Sequence, residues 1–270
     1  MTEMTGNTAI ARPAHEAAER SFVRLSRFQR GQHLAMLVSF LVLAITGIPM
    51  RFPQVHWLGG IYAAVGGLPV ARAIHRVAAL VMIADGAVHL VYLGALLVRR
   101  RFRLWEAWPM LPTWKDAQDW WATSLYYFGI RKELPAYDRF NFREKFDYFA
   151  VFWGLPVMMI SGLILWFPVF FGNHLPDIAI PMAYIAHSDE AILAISAIVV
   201  WHFYNVHYNP DKFPMSWVWI TGRISEEEIR REHPLEYERL RKVAAHRDAT
   251  PTEADASAAP GGAAADRRTI

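Results

Sequence analysis

The fold is decided by residues 73–98, AIHRVAALVMIADGAVHLVYLGALLV. This apolar run is long enough to cross a hydrocarbon layer of ~30 Å as a helix. It carries two histidines, His75 and His89, fourteen residues apart. On a helix rising ~1.5 Å per residue, the interval spans about 21 Å and closes nearly four turns, so both imidazoles lie on one face. The segment therefore predicts a transmembrane helix that offers imidazoles at two depths.

A second apolar run, residues 182–204, repeats this arrangement. Its histidines, His187 and His202, are fifteen residues apart. If the helix is α throughout, their directions differ by about 60°. Ionisable side chains at membrane depth are costly and usually functional. Two helices with imidazoles at two matched depths are what two haems stacked across a membrane require, so we predict a di-haem membrane electron carrier.

Two further apolar runs complete an all-α, integral membrane four-helix bundle. The predicted spans are residues 31–50, 73–98, 146–171 and 182–204. Around them we predict a flexible cytoplasmic N-terminus (1–23), a four-helix transmembrane di-haem domain (24–208), a cytoplasmic helical tail (209–243) and a disordered tail (244–270). Helical charge patterning over 224–242, broken near Pro234, supports the helical tail.

The basic residues are strongly segregated. Of 28 Lys and Arg, 25 lie before the first span, between the second and third, or after the fourth. Because positively charged loops stay in the cytoplasm, we expect both termini and the middle loop there, in a bacterial inner membrane. We expect no cleavable signal peptide, because no apolar run precedes the first span.

The segment after the second span is rich in tryptophan. It begins with the basic cluster 99–103 and continues through Trp105, Trp108, Trp114, Trp120 and Trp121. Indoles favour the headgroup region, so an amphipathic segment in contact with membrane lipid is expected. No nucleic-acid partner is expected.

The chain contains no cysteine. Disulfides, iron–sulfur ligation and covalent c-type haem attachment are thereby excluded within it. A haem must be held non-covalently, by His or Met.

Several motifs follow one another in a familiar order. They are Arg30-Gly-Gln-His33 and Thr46-Gly47 in the first span, Ile74-His75, Ser161-Gly162, Ala186-His187, Trp201-His202, and Gly222-Arg-Ile-Ser225 with His233-Pro234. Over about residues 24–240 this pattern resembles the cytochrome b (gamma) subunit of membrane-bound formate dehydrogenases and the related nickel–iron hydrogenase cytochromes b.

The resemblance implies four transmembrane helices, two b haems and a quinone site near the cytoplasmic face. It assigns His75 and His187 to the periplasmic-side haem, and His33 and His202 to the cytoplasmic-side haem. It also implies a menaquinone or ubiquinone pocket near the cytoplasmic mouth of the third helix. The residues there that suit such a pocket are Asn141, Arg143, Glu144, Lys145 and Asp147.

His89 departs from the family pattern. It lies near the cytoplasmic side and could replace His33 opposite His202, as in the two-helix ligation of bc-type cytochromes b. Spacing favours His89, whereas the resemblance favours His33. The histidine left over could contact a propionate or the quinone, or form a third haem site with His207. Asp85, four residues before His89, is a candidate partner for its ring N–H.

Other residues suit a haem less specifically. Arg51, Arg72 and Arg76 lie at the periplasmic rim, where haem propionates or lipid headgroups could bind them. Four glycines could let a porphyrin approach a helix backbone, although glycine also serves ordinary helix packing. They are Gly47, Gly86, Gly154 and Gly162.

The predicted function is electron transfer between a periplasmic redox partner and the quinone pool. A haem with two His ligands has no open coordination position, so the chain would be non-catalytic alone and would serve as the quinone-reacting subunit of an oxidoreductase complex of a respiratory chain. The partner would be an iron–sulfur or multihaem cytochrome c subunit. One alternative is a haem-free membrane anchor or transporter whose histidines bind metal or relay protons. Another is a haem b ferric or superoxide reductase.

Overall fold

The computed structural model describes residues 20–210 and 212–249. Within them, four helices are long and apolar enough to cross a membrane: α1 (Arg27–Arg51), α3 (Leu68–Arg99), α6 (Phe142–Trp166) and α8, which starts at Ala179 and continues to Tyr208. At most 17% of the most apolar stretch of any of them is buried inside the protein. Apolar surface left outside a protein core is what lipid would cover. The predicted all-α membrane bundle is confirmed.

Polar caps make two of these helices begin about four residues before the predicted spans. Ser26 and Gln29 form a capping box at the start of α1, and Asn141 and Glu144 form one at the start of α6. Capping satisfies backbone N–H groups that have no intrahelical partner, so polar residues extend each helix beyond its apolar run.

The third span is shorter than predicted at its far end. The predicted 146–171 span ends at Trp166, and a separate short helix, α7 (Pro168–Gly172), follows it. Phe167 has φ −119° and ψ 57°, outside the helical region. Because a proline disfavours the α conformation of the residue before it, Pro168 ends α6 here.

The bundle consists of two antiparallel hairpins. The first hairpin is α1 with α3, joined through the short helix α2 (Gly59–Val65), and the second is α6 with α8. The most extensive helix contacts lie within these pairs, whereas α3 and α6 touch much less. Four histidines therefore lie at two ends of the bundle. We call these the His75 end, with His75 and His187, and the His202 end, with His33 and His202.

Helix α8 changes its winding before it ends. It is α-helical over Ala179–Ser196 and then π-helical over Ala197–His202 and Tyr204–Tyr208. A π turn closes its hydrogen bond over one more residue than an α turn. This wider turn takes up the additional residue between His187 and His202. The angle of about 60° expected for a continuous α-helix therefore does not apply.

The segments before α1 and after α8 meet at the His202 end. Strand β1 (Ser21–Val23) pairs antiparallel with β2 (Arg223–Ser225), with Phe22 opposite Ile224. Residues 21–23, expected to be flexible, are held by this pairing. Between the strands, Gly222 has φ +73°, and a Cβ there would lie 2.5 Å from the Leu25 carbonyl, so the turn requires glycine.

The remaining helices are short, apart from α5 and α11. They are α4 (Leu104–Ala107), α5 (Trp114–Tyr127), α9 (Val218–Thr221), α10 (Glu226–Glu232) and α11 (Pro234–Ala249). Helix α11 continues six residues past the predicted start of the disordered tail at 244, because its helical sequence does not stop there. The rest of that tail and residues 1–19 lie outside the described residues.

Candidate functional site

Two imidazoles face each other at the His75 end. The ring centroids of His75 and His187 are 6.3 Å apart, and their planes make an angle of 60°. Two imidazoles that share one metal ion, each at about 2 Å from it, have centroids about 6 Å apart. The pair thus has the separation needed to bind one metal ion from opposite sides.

Hydroxyl groups on the neighbouring helices determine which ring nitrogen is free. Thr46 Oγ1 lies 2.9 Å from His75 Nδ1 and donates its own proton to the Val42 carbonyl at 2.7 Å. Since a hydroxyl has one proton, its oxygen accepts the Nδ1–H of His75. This tautomer carries its lone pair on Nε2, the form in which a neutral imidazole binds a metal.

The second hairpin repeats this contact. Ser161 Oγ lies 3.0 Å from His187 Nδ1 and donates its proton to the Val157 carbonyl. His187 is therefore held in the same tautomer as His75. Because the same contact occurs in both hairpins, both histidines at the His75 end carry a free lone pair on Nε2 that can bind a metal ion.

A glycine follows each of these hydroxyl residues. A Cβ added to Gly47 would lie 3.2 Å from Cε1 of His75, and one added to Gly162 would lie 3.1 Å from Cε1 of His187. Glycine thus lets the helix backbone approach the imidazole at both positions. Gly86 and Gly154 instead admit the side chains of Leu155 and Glu190.

At the His202 end, His202 has an acidic partner. Its Nδ1 lies 3.1 Å from Oδ2 of Asp147 on α6, and both side chains are about one-quarter exposed, at 26% and 25%. His33 lies close enough to His202 for charges on the two rings to interact. Within residues 20–210 and 212–249, the buried Nδ1 of His33 has no hydrogen-bond partner. Its ring also packs 5.9 Å from that of Trp219.

Both ring nitrogens of His89 lie within hydrogen-bonding distance of protein groups. Its Nδ1 lies 3.1 Å from Gln32 Oε1, and its Nε2 lies 2.8 Å from the Tyr148 hydroxyl. Asp85, the suggested partner, does not hold this ring. With both nitrogens occupied by protein groups, His89 offers no free lone pair, and this arrangement favours His33 as the partner of His202.

His207 follows His202 on the π-helical part of α8. The centroid of its ring lies 5.6 Å from that of Phe203, in an edge-to-face arrangement. Its buried Nδ1 has no hydrogen-bond partner in the described part of the chain. That part contains no cluster of three or more His, Cys, Asp or Glu side chains that could hold a metal ion by themselves. A third haem at His207 stays a prediction.

The three arginines expected near propionates lie at the His75 end. The guanidinium of Arg76 lies 5.1 Å from the ring centre of Trp166. That of Arg51 lies 5.4 Å from Phe52 and 5.9 Å from Tyr184. Arg72 is on the first turns of α3, near the same rim. The guanidinium groups of Arg51 and Arg76, which lie over aromatic rings, and that of Arg72 would be available to an anionic group at this end.

The five residues suggested for a quinone pocket lie at the start of α6, where most of them contact other protein groups. Asn141 accepts hydrogen bonds from the backbone of Arg143 and Glu144, and Glu144 forms an ion pair with Arg24 at 3.1 Å. The Arg143 guanidinium lies 5.6 Å from the ring centre of Tyr137. These contacts hold the start of α6 in place.

Lys145 links α6 to α5. Its ammonium lies 2.8 Å from Asp116, and the two side chains are only 10% and 13% exposed. A buried ion pair must keep both partners, because removal of one leaves an uncompensated charge. Of the five residues, Asp147 is the one that contacts a histidine of the bundle.

A buried ionic cluster joins the tail to this junction. Arg24 lies 2.8 Å from Glu236, with both side chains 5% exposed, and 3.0 Å from Nε2 of His233. His233 Nδ1 lies 2.7 Å from the Asp138 carbonyl oxygen, to which it donates. Sequence patterns gave no sign of this cluster, because its members are far apart in the chain.

Comparison with known proteins agrees with this arrangement. The model of a family described as prokaryotic cytochrome b561 matches residues 24–211. The chain is 25% identical over 226 residues to the cytochrome b556(fdo) subunit of formate dehydrogenase from Escherichia coli K12, which covers 83% of this chain and 95% of the relative.

A second group of relatives is more distant. The cytochrome b556(Fdn) subunit of the nitrate-inducible formate dehydrogenase, from E. coli K12 and from Shigella flexneri, is 20% identical over 231 residues, which covers 85% of this chain and 96% of the relative. The resemblance predicted from the order of the motifs is confirmed.

Proposed function

The chain belongs to the prokaryotic cytochrome b561 family, which implies haem b, and on this premise we propose that it is the membrane di-haem cytochrome b subunit of an oxidoreductase complex. It would pass electrons between a redox partner at the periplasmic face and the quinone pool. The observation that carries the proposal is the facing pair His75 and His187, whose Nδ1 atoms are both bound by hydroxyls so that both Nε2 atoms are free for iron.

The proposed ligands come from both hairpins. His75 and His187 would hold one haem, and His33 and His202 the other. Haem held by two histidines carries single electrons and has no open position for substrate. The protein supplies the tautomer, the orientation of each ring and an apolar surrounding that excludes water.

Quinone would react at the His202 end. This end carries the polar segment 141–147 at the start of α6, and Asp147 lies beside the proposed ligand His202. A quinone needs groups that hydrogen-bond its carbonyl oxygens and exchange protons, and such groups occur at this mouth of the bundle. The charge segregation supports placing this end in the cytoplasm.

The partner would dock at the opposite face. The curated relatives are named as subunits of formate dehydrogenase, which supports assembly with an electron-transfer subunit. An iron–sulfur or multihaem cytochrome c protein has the one-electron chemistry that a haem at the His75 end requires.

Haem quantitation on purified protein tests this proposal. Pyridine haemochrome spectra should give about two b haems per chain, and the reduced protein should not bind carbon monoxide. His75→Ala and His187→Ala should lose the same haem, whereas His33→Ala and His202→Ala should lose the other. His89→Ala should retain both, as should His174→Ala, a control in the loop between α7 and α8.

Two outcomes would overturn the proposal. A wild-type protein without haem would identify a membrane anchor or transporter. A high-spin haem that binds carbon monoxide readily would identify a reductase with an open iron position. Loss of haem in His89→Ala but not in His33→Ala would reassign the ligand and keep the function.

A further inference from the structure

The proposed haem ligands differ in the charge of the groups that hold them. His75 and His187 give their Nδ1–H to neutral hydroxyls, those of Thr46 and Ser161. His202 instead faces the carboxylate of Asp147 at 3.1 Å. The two ends of the bundle therefore treat their imidazoles differently, although the hairpins are otherwise alike.

No lysine or arginine in the described part of the chain forms an ion pair with the Asp147 carboxylate. Of the ion pairs in the described ranges 20–210 and 212–249, the one that includes Asp147 is with His202 itself. The nearest basic residues in sequence are engaged elsewhere, since Lys145 pairs with Asp116 and Arg143 lies over Tyr137. The negative charge of Asp147 is thus directed at the imidazole.

An anionic acceptor changes how an imidazole binds iron. It pulls the Nδ1 proton toward itself, which raises the basicity of Nε2 and strengthens its bond to the metal. A charged hydrogen bond is also about twice as strong as a neutral one. Both effects favour ferric over ferrous iron, because the ferric ion carries the additional positive charge, and they lower the reduction potential.

We propose that Asp147 is a positioning residue that orients His202 and makes the haem at the His202 end the lower-potential haem of the two. This inference rests on the di-haem function proposed above. It gives Asp147 a role toward the ligand rather than toward the quinone.

Potentiometric titration of the purified protein tests the inference. Wild-type protein should show two reductive waves, and His202→Ala should lack the lower one. Asp147→Asn keeps a hydrogen-bond acceptor but removes the charge. In this variant the lower wave should move upward while the upper wave stays in place, and the low-spin ferric signal of one haem in electron paramagnetic resonance should shift.

Two variants act as controls. Asp85→Asn removes a carboxylate from α3, also within a span, that does not hold a histidine, so both waves should stay in place. Asp147→Glu keeps the charge and should retain a low potential, which allows the test even if Asp147→Asn loses haem.

The outcomes separate this inference from the function. Fewer than two haems in the wild-type protein would overturn the proposed function. Two haems together with an unmoved lower wave in Asp147→Asn, or a shift confined to the upper wave, would overturn the role of Asp147 alone.

Discussion

Hydroxyl groups on Thr46 and Ser161 are small features with a specific effect. Each fixes the ring orientation and tautomer of a histidine across a helix interface, at 2.9 Å and 3.0 Å. Without this partner an imidazole can rotate or bind a proton on the nitrogen that should face the metal. The retention of haem should therefore depend on side chains that do not touch iron.

We expect Thr46→Val and Ser161→Ala to bind the haem at the His75 end more weakly. Loss of such a partner typically costs about 10- to 100-fold in metal affinity. Transfer of haem to apomyoglobin should be correspondingly faster for one of the two haems. Ser39→Ala is the matched control, because the Ser39 hydroxyl bonds only to carbonyls of its own helix. Equal transfer rates in all variants would show that the hydroxyls have no such role.

At this scale the sequence predicted histidines better than their partners. Spacing alone brought His75 and His187 to matching depths, because a helix has a fixed rise. It did not indicate that Asp147 contacts His202, and it suggested Asp85 as the partner of His89, where the structure has Gln32 and Tyr148. Partners across helices depend on how the helices rotate, which one sequence does not determine.

At the scale of elements, hydropathy located the helices but not their ends or their winding. Caps of polar residues extend α1 and α6, and Pro168 shortens the third span. One feature of the sequence is consistent with the π-helical part of α8: His187 and His202 are fifteen residues apart, whereas His75 and His89 are fourteen apart. An apolar pattern by itself does not distinguish α from π turns.

The attachment of α11 should depend on pH through His233. Burial first, and then the Arg24 guanidinium, hold the pKa of His233 below its usual 6.5. The neutral ring donates through Nδ1 to Asp138 and accepts through Nε2 from Arg24, so a second ring proton would face a cation. The carboxylates of Glu144 and Glu232 act in the opposite direction but more weakly.

Because the pKa of His233 is lower in the folded state than in the unfolded state, the folded state binds fewer protons than the unfolded state once the pH falls below about 6.5. The contribution of His233 to stability is therefore complete above that pH and is lost as the pH falls through the folded pKa. The protection factors of backbone amides in β1 and α11, corrected for the intrinsic exchange rate at each pH, should fall on acidification. In His233→Gln this fall should be smaller, and an equal fall in both proteins would contradict the assignment.

At the scale of the whole molecule, the distribution of charge predicts the orientation in the membrane. The 25 basic residues before the first span, between the second and third, and after the fourth outnumber the three at the opposite rim (Arg51, Arg72 and Arg76), so we expect the termini and the middle loop to stay in the cytoplasm. The fold agrees with this grouping, since β1, the loop between α3 and α6 and the C-terminal helices all lie at the His202 end.

Reporter fusions should show this orientation directly. Alkaline phosphatase inserted after Trp57 should be active, because the enzyme folds only in the periplasm. The same enzyme fused after Lys242 should be inactive, and a fluorescent protein fused there should fluoresce. The reverse pattern would place the His202 end in the periplasm and would move the proposed quinone site to that face.

The division into two hairpins has a consequence for biogenesis. Each proposed haem takes one imidazole from the first hairpin and one from the second, while most helix contacts remain inside a hairpin. Neither half of the chain contains a complete proposed cofactor site, so porphyrin would add to the contacts that join the halves, such as β1 with β2 and Arg24 with Glu236. In a cell that lacks iron, the apoprotein would be held together by fewer contacts and would be more exposed to membrane proteases, and the amount of mature protein would follow the porphyrin supply rather than the rate of translation.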